Sequence, residues 1–240
     1  MPSSAHRLDR FLNQTLGLPR SAVRGLLAQG RILVDGNVAC AGSQSVDRFS
    51  RIAVDGETLP CETPVYLKLH KPPGILSATQ DARHTTVIDL LEHHARETLH
   101  LVGRLDRASS GLVLLTNDGH WSRALMSPDA AVEKVYEVRV RDRLTETMVE
   151  AFAAGMHFAY EDITTLPARL EILDDTLARV TLVEGRYHQI KRMFGRFRNP
   201  VLALHRVRIG AVVLPEDLAQ GRSCGLDAQE LRATGAFWLT

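Results

Sequence analysis

The chain has 240 residues, with 29 basic and 28 acidic side chains, a formal net charge of +1 and 45% hydrophobic residues. That composition fits a globular chain rather than a disordered one, and no apolar run approaches the ~20 residues that span a bilayer. The opening MPSSAHRLDRF lacks the hydrophobic stretch of a secretory leader. Three scattered cysteines, Cys40, Cys61 and Cys224, fit neither a disulfide framework nor a CxxC metal site. A reduced, cytoplasmic protein is expected. A charge near zero argues against a polyanion partner until it is mapped. Residues 1–31 carry +4, residues 131–184 carry −5, and residues 185–210 hold seven basic groups and no acid. Two separated basic stretches suggest two contact patches for a polyanion, with the acidic segment facing away. Solvated charged faces give the same pattern.

In chain order, Leu8, Phe11, Leu12 and Leu16 recur at helical spacing, and Gly17 closes that helix. Pro19 opens a second helix with a Val23, Leu26, Leu27 stripe, stopped by Gly30. Arg20 and Arg24, four apart, share its exposed side. RILVDGNVA and RIAVDGETLP read as short strands turned at Asp-Gly. The string RLDRFL, followed eight residues later by SAVRGLLAQGRILVDG, resembles the S4 RNA-binding domain over residues 6 to about 54. The resemblance implies Arg7, Arg10, Arg20, Arg24 and Arg31 as contacts to folded RNA. The expected organisation is an S4-like domain at 1–59, the proline-bounded linker PCETP at 60–64, and a second domain at 65–240.

Beyond the linker, VYLKLHKPPG reads as a strand ending in a turn, and LHLVGRLD as a strand entering a polar loop. GLVLLTNDG is a buried strand, HWSRALMS a short helix and KVYEVRV an alternating strand. TETMVEAFAAG is a helix ended by Gly155. ARLEIL, LARVTLV and AVVL add strands, with HQIKRMFGRF a helix between the last two. Many strands with irregularly placed helices predict an α+β domain: a mixed, mostly antiparallel sheet with flanking helices. His93 and His94 are expected on a short helix, where adjacent residues share no face for a metal. No metal is assigned.

Three strings carry chemistry. VGRLDRASSGLVLLTNDG (102–119) puts Asp106 on a loop between two apolar strands, flanked by Arg104 and Arg107. A loop carboxylate on a rigid scaffold is well placed for chemistry, and flanking cations favour its ionised form. A surface salt bridge fits the same residues. In EKVYEVRV (133–140), Tyr136 shares a strand face with Lys134 and Val138; as a lone aromatic it also fits core packing. In EGRYHQIKRMFGRFRNPVLALHRVRIG (184–210), Ile190, Met193, Phe194 and Phe197 form an apolar helical stripe. His188, Arg192 and Arg196 run along one flank, and Lys191 and Arg198 lie on the other side.

Together these strings resemble the pseudouridine synthases that modify ribosomal RNA, whose hallmark is GRLDxxTxGLLLLTNDG. Ser109 stands where threonine is usual and keeps the hydroxyl. The resemblance implies Asp106 as the catalytic aspartate, with Arg104 helping to open the RNA. It implies that Tyr136 stacks on the uracil and that its hydroxyl moves the C5 proton. Lys191 would pair with Asp106 where many relatives carry arginine. Ile190 would line the uracil pocket, Lys71 of HKPPG would belong to a turn that shapes it, and Arg192 and Arg196 would meet RNA.

The S4 module with DGHWSRALMSP, GRYHQIKRMF and LHRVRIG is most similar to the RsuA branch, which modifies one uridine of 16S ribosomal RNA in the small subunit. A 23S-modifying relative and a non-catalytic S4-type ribosome-assembly factor stand as alternatives. A serine hydrolase is disfavoured, because RASSG is not a GxSxG elbow. The implied reaction isomerises the uridine in place, with no cofactor and no metal. The implied partner is 16S ribosomal RNA, free or in a small-subunit assembly intermediate, and the implied state is a cytoplasmic monomer without membrane contact.

Overall fold

The computed structural model describes residues 6–93 and 95–235, so the expectation for His94 lies outside the described residues. The chain divides into two compact units, one through Pro64 and one from Val65 onward.

In the first unit, α1 (Leu8–Leu16) and α2 (Arg20–Ala28) bury Leu8, Leu12 and Val23 against Ile32, Val34 and Ile52. Gly17 ends α1 at φ 69°, its N–H donating to Asn13 O; a left-handed cap favours glycine. β1 (His6–Arg7) pairs with β4 (Ser45–Val46). A second antiparallel sheet runs β3 (Asn37–Val38), β2 (Ile32–Val34), β5 (Ile52–Val54), β6 (Glu57–Thr58).

The second unit is built on a nine-stranded sheet. Its order is β13 (Arg169–Asp174), β14 (Leu177–Leu182), β10 (Lys134–Val140), β15 (Val201–Ile209), β9 (Ser110–Thr116), β7 (Tyr66–Lys71), β17 (Ser223–Gly225). β16 (Val212–Val213) pairs with β15, and β8 (His100–Val102) with β9. Every pairing is antiparallel except β15 with β9, which run parallel. The helices are α3 (Gly119–Met126), α4 (Glu146–Ala154), α5 (Gln189–Gly195) and α6 (Ala228–Ala233). A hairpin of β11 (His157–Phe158) and β12 (Ile163–Thr164) precedes β13. Side chains alternate across β9: Val113 and Leu115 join Phe152, Met193 and Phe194 in one core, while Leu112 and Leu114 join Tyr66 and Trp121 in another. This is the α+β class expected. Among the described residues no helix is long and apolar enough to cross a membrane.

Two differences from the sequence reading matter. β15, a nine-residue strand, was not among the expected strands. The expected helix at His93 is absent: a short 3-10 turn forms instead at Arg96–Thr98.

β15 meets β9 through only two residue pairs, His205 with Ser110 and Arg206 with Gly111. Gly111 sits at φ 109°, and a Cβ there would run into Arg206 O and stand 2.5 Å from Arg206 N. Only glycine permits that approach. The end of the same motif is structural. Asp118 caps α3 by accepting from His120 N and Trp121 N, and Tyr66 Oη donates to it at 2.9 Å. Asn117 Oδ1 accepts from Val65 N at 2.8 Å.

Candidate active site

Asp106 lies on the loop joining β8 to β9, and the Lys71–Gly74 turn clamps that loop. Gly74 N donates to Arg107 O at 2.7 Å, and Arg107 Nε returns a bond to Gly74 O at 2.9 Å. Ser77 Oγ donates to Leu105 O at 2.7 Å and accepts from Leu105 N at 3.1 Å. Lys71 is fully buried. Its Nζ donates to Pro72 O, Arg107 O and Ser109 O at 3.1, 3.2 and 2.7 Å. Burial pushes the Lys71 ammonium down to about 8, opposed by Asp106 and reinforced by Arg206 and Lys191. Lys71 therefore stands behind the Asp106 loop and does not line the cleft.

α5 supplies the other half. Lys191 Nζ donates to Asp106 Oδ2 at 2.8 Å, and His188 Nε2 stands 3.5 Å from Oδ1. The sequence reading set His188 on the helical flank with Arg192 and Arg196. It instead caps α5 from outside, at φ 50°, and this left-handed backbone lets its ring reach Asp106. Strain of this kind concentrates at functional sites. The flanking arginines are not the cations that meet Asp106: Arg107 serves Gly74, and Arg104 is exposed at the rim.

The cleft is small, with a cavity volume of about 90 Å³, and opens to solvent. Tyr136, Leu182, Ile190 and Leu204 give it apolar walls, and Arg104, Arg186 and His188 a polar edge. Tyr136 is 7% exposed. The Arg206 guanidinium lies 5.9 Å from the centre of its ring and donates to Leu112 O and Arg104 O at 2.8 and 3.2 Å. Ser109 Oγ is buried at the wall without a hydrogen-bond partner among the described residues. Asp106, Tyr136, Lys191, Ile190 and Arg104 thus share one cleft. Sequence reasoning did not single out the approach of His188 or the buried Arg206. His188 lay within a motif already quoted, whereas Arg206 sits on the strand that was not foreseen.

The charge expectation is corrected. Arg192 is committed to Glu161 at 2.7 Å and lies over the Phe158 ring at 3.9 Å; it holds the Glu161 carboxyl below its ordinary range. Arg186 pairs with Glu184 at 2.8 Å and Arg208 with Glu133 at 2.7 Å. The acidic segment therefore neutralises part of the basic run rather than facing away from it. Arg196 is exposed. In the first unit, Arg7 pairs with Asp9 and Arg31 with Asp55, while Arg10, Arg20 and Arg24 are exposed.

Comparison with known proteins decides the family. The family described as RNA pseudouridylate synthase matches residues 65–195, which supply most of the cleft. The chain belongs to this family. It is 48% identical to the ribosomal small subunit pseudouridine synthase A of Pseudomonas aeruginosa over 226 residues, 94% of this chain and 98% of that one. The Escherichia coli protein of the same name is 38% identical, again over 94% of this chain and 98% of the relative. A crystal structure of a pseudouridylate synthase aligns with TM-score 0.70 and 38% identity, covering 95% of this chain and 99% of that one. As a pseudouridine synthase the protein is an RNA isomerase, and its sheet, loop and α5 belong to that enzyme's fold.

Proposed function

We propose that this pseudouridine synthase isomerises one uridine of 16S ribosomal RNA, with Asp106 as its catalytic carboxylate. The observation that carries the reading is the 2.8 Å contact of Lys191 with Asp106 in the cleft that holds Tyr136. The naming of near-full-length relatives for the small ribosomal subunit favours 16S over 23S RNA.

The target uridine leaves the stack before reaction, as enzymes acting on a base require. Tyr136 stacks on the uracil, while Leu182, Ile190 and Leu204 exclude water that would hydrolyse an opened intermediate. Asp106 acts as nucleophile or base on the nucleoside. The C1′–N1 bond breaks, the base turns, and a C1′–C5 bond forms. The proton leaving C5 passes through the Tyr136 hydroxyl, which releases its own as it accepts, and N1 gains one. Atoms balance without oxidant or cofactor. Lys191 holds Asp106 as an oriented carboxylate, and Lys71 and Ser77 fix its loop. Residues 1–59 serve as an S4-like RNA-binding module presenting Arg10, Arg20 and Arg24, with Arg7 and Arg31 beside their acid partners. Arg104 and Arg196 add contacts at the second unit. The enzyme works as a cytoplasmic monomer on 16S RNA, free or in an assembly intermediate.

The test incubates the protein with 16S and, separately, 23S transcript, or with partly assembled small subunits, and maps pseudouridine by carbodiimide-primer extension. Modification of one 16S position, lost in Asp106→Asn, is expected. Modification of 23S alone would reassign the substrate, and no modification of any RNA would favour a non-catalytic assembly role.

A further inference from the structure

We propose that Tyr187 is a stacking platform for the base that neighbours the target uridine in the RNA. The proposal rests on the reading that the target uracil occupies the Asp106 cleft. Tyr187 is 76% exposed, on the segment leading into α5. One face of its ring packs on His188, with centroids 3.9 Å apart and planes inclined by 20°. The stack covers one face and leaves the other open. His188 in turn stands 3.5 Å from Asp106 Oδ1, so the open ring sits one aromatic layer from the reacting carboxylate.

The segment around Tyr187 is held in place. Buried Gln189 accepts from Arg186 N at 3.0 Å and donates to Glu184 Oε1 at 2.6 Å. His188 is fixed at φ 50°. A ring positioned in advance loses little entropy on binding.

The chemistry of extrusion identifies the ligand. When a uridine leaves the stack, the adjacent base loses its partner and exposes a bare face. A fixed aromatic ring beside the cleft replaces that partner, and such stacking is worth ~1–3 kcal/mol whatever the base. Much of the nearby charge is already engaged, since Arg186, Lys191, Arg192 and Arg208 are each paired with an acid.

The test places 2-aminopurine next to the target uridine, on the 5′ or 3′ side, in a substrate RNA that the wild type modifies. Complexes and turnover are compared for wild type, Tyr187→Ala, Tyr187→Phe and Tyr187→Trp. With one of the two placements the probe should stay dim in the wild-type, Phe and Trp complexes and become bright in the Ala complex. The Ala variant should raise KM by about 5- to 100-fold, with the loss falling on KM more than on kcat. Unchanged KM and fluorescence in Tyr187→Ala would overturn the proposal. So would a loss confined to kcat with unchanged fluorescence, which would make Tyr187 only a support for His188. Phe failing as badly as Ala would replace stacking with a role for the hydroxyl. Failure of the cleft reading itself shows separately, as wild-type turnover by Asp106→Asn.

Discussion

Lys191 donates to Asp106 Oδ2 across 2.8 Å, although the two residues lie 85 positions apart in the chain. The pair joins the loop before β9 to the helix before β15, so each side chain is positioned by a separate part of the sheet. Asp106→Asn removes the carboxylate's charge and should lower pseudouridine formation by about 10³-fold or more. Lys191→Met should reduce the single-turnover rate far more than RNA affinity measured by filter binding. Lys191→Arg keeps the cation and should retain activity within about tenfold. Equal losses of rate and affinity in Lys191→Met would mark the lysine as a phosphate contact.

Gly111 tests the seam between β9 and β15. Its φ of 109° and its closeness to the Arg206 backbone leave no room for a methyl group. Gly111→Ala should destabilise the second unit by about 3 kcal/mol or more, lowering its Tm by roughly 10 °C. Calorimetry would reveal the shift, and a Tm within a degree of wild type would contradict the register described.

Lys71 makes stability depend on pH in a defined direction. Its folded value of about 8 lies below its ordinary value of 10.5. Between those values the unfolded chain binds the proton and the folded chain does not, so this group adds stability as pH rises. Below about 8 both states are protonated and the full cost of burying the charge is present. Urea unfolding of wild type and Lys71→Met from pH 7 to 10 should therefore show wild type gaining relative to the variant above pH 8. A constant difference would show that Lys71 stays charged in the folded protein.

The exposed arginines of the first unit and the committed Arg192 should separate in salt titrations. Replacing Arg10, Arg20 and Arg24 together with alanine should weaken RNA binding and reduce the slope of log K against log salt by about 2–3. Arg192→Ala removes the Glu161 pair and the Phe158 contact instead. It should lower Tm while leaving that slope unchanged.

Much of the candidate site was legible because its residues sit in short, dense motifs. Asp106 was readable as a loop carboxylate between two apolar runs, and Ile190 with Met193 and Phe194 as a buried helical stripe. The pairing of Lys191 with Asp106 came from family resemblance, since no local pattern links residues that far apart. VLALHRVRI escaped notice as a strand because its cations break the apolar alternation; Arg206 is buried only because carbonyls from β9 and the Asp106 loop receive it. The left-handed backbone of His188 leaves no pattern in the sequence, although histidine is among the non-glycine residues that adopt it more often. The ion pairs that consume the basic run are likewise long-range, as when Arg192 reaches Glu161 on the β11–β12 hairpin.

The single parallel seam also has a consequence for biosynthesis. Parallel neighbours need a long crossover, and contacts of high sequence separation form late and at an entropic cost. Everything between Ser110 and His205 must be made before β15 can lie beside β9 and hold α5 against the Asp106 loop. A nascent chain that has emerged only through β14 already carries the carboxylate, the tyrosine and the clamping turn. It lacks Lys191, and so the Asp106 carboxylate has no partner from α5 until the last third of the sheet is delivered.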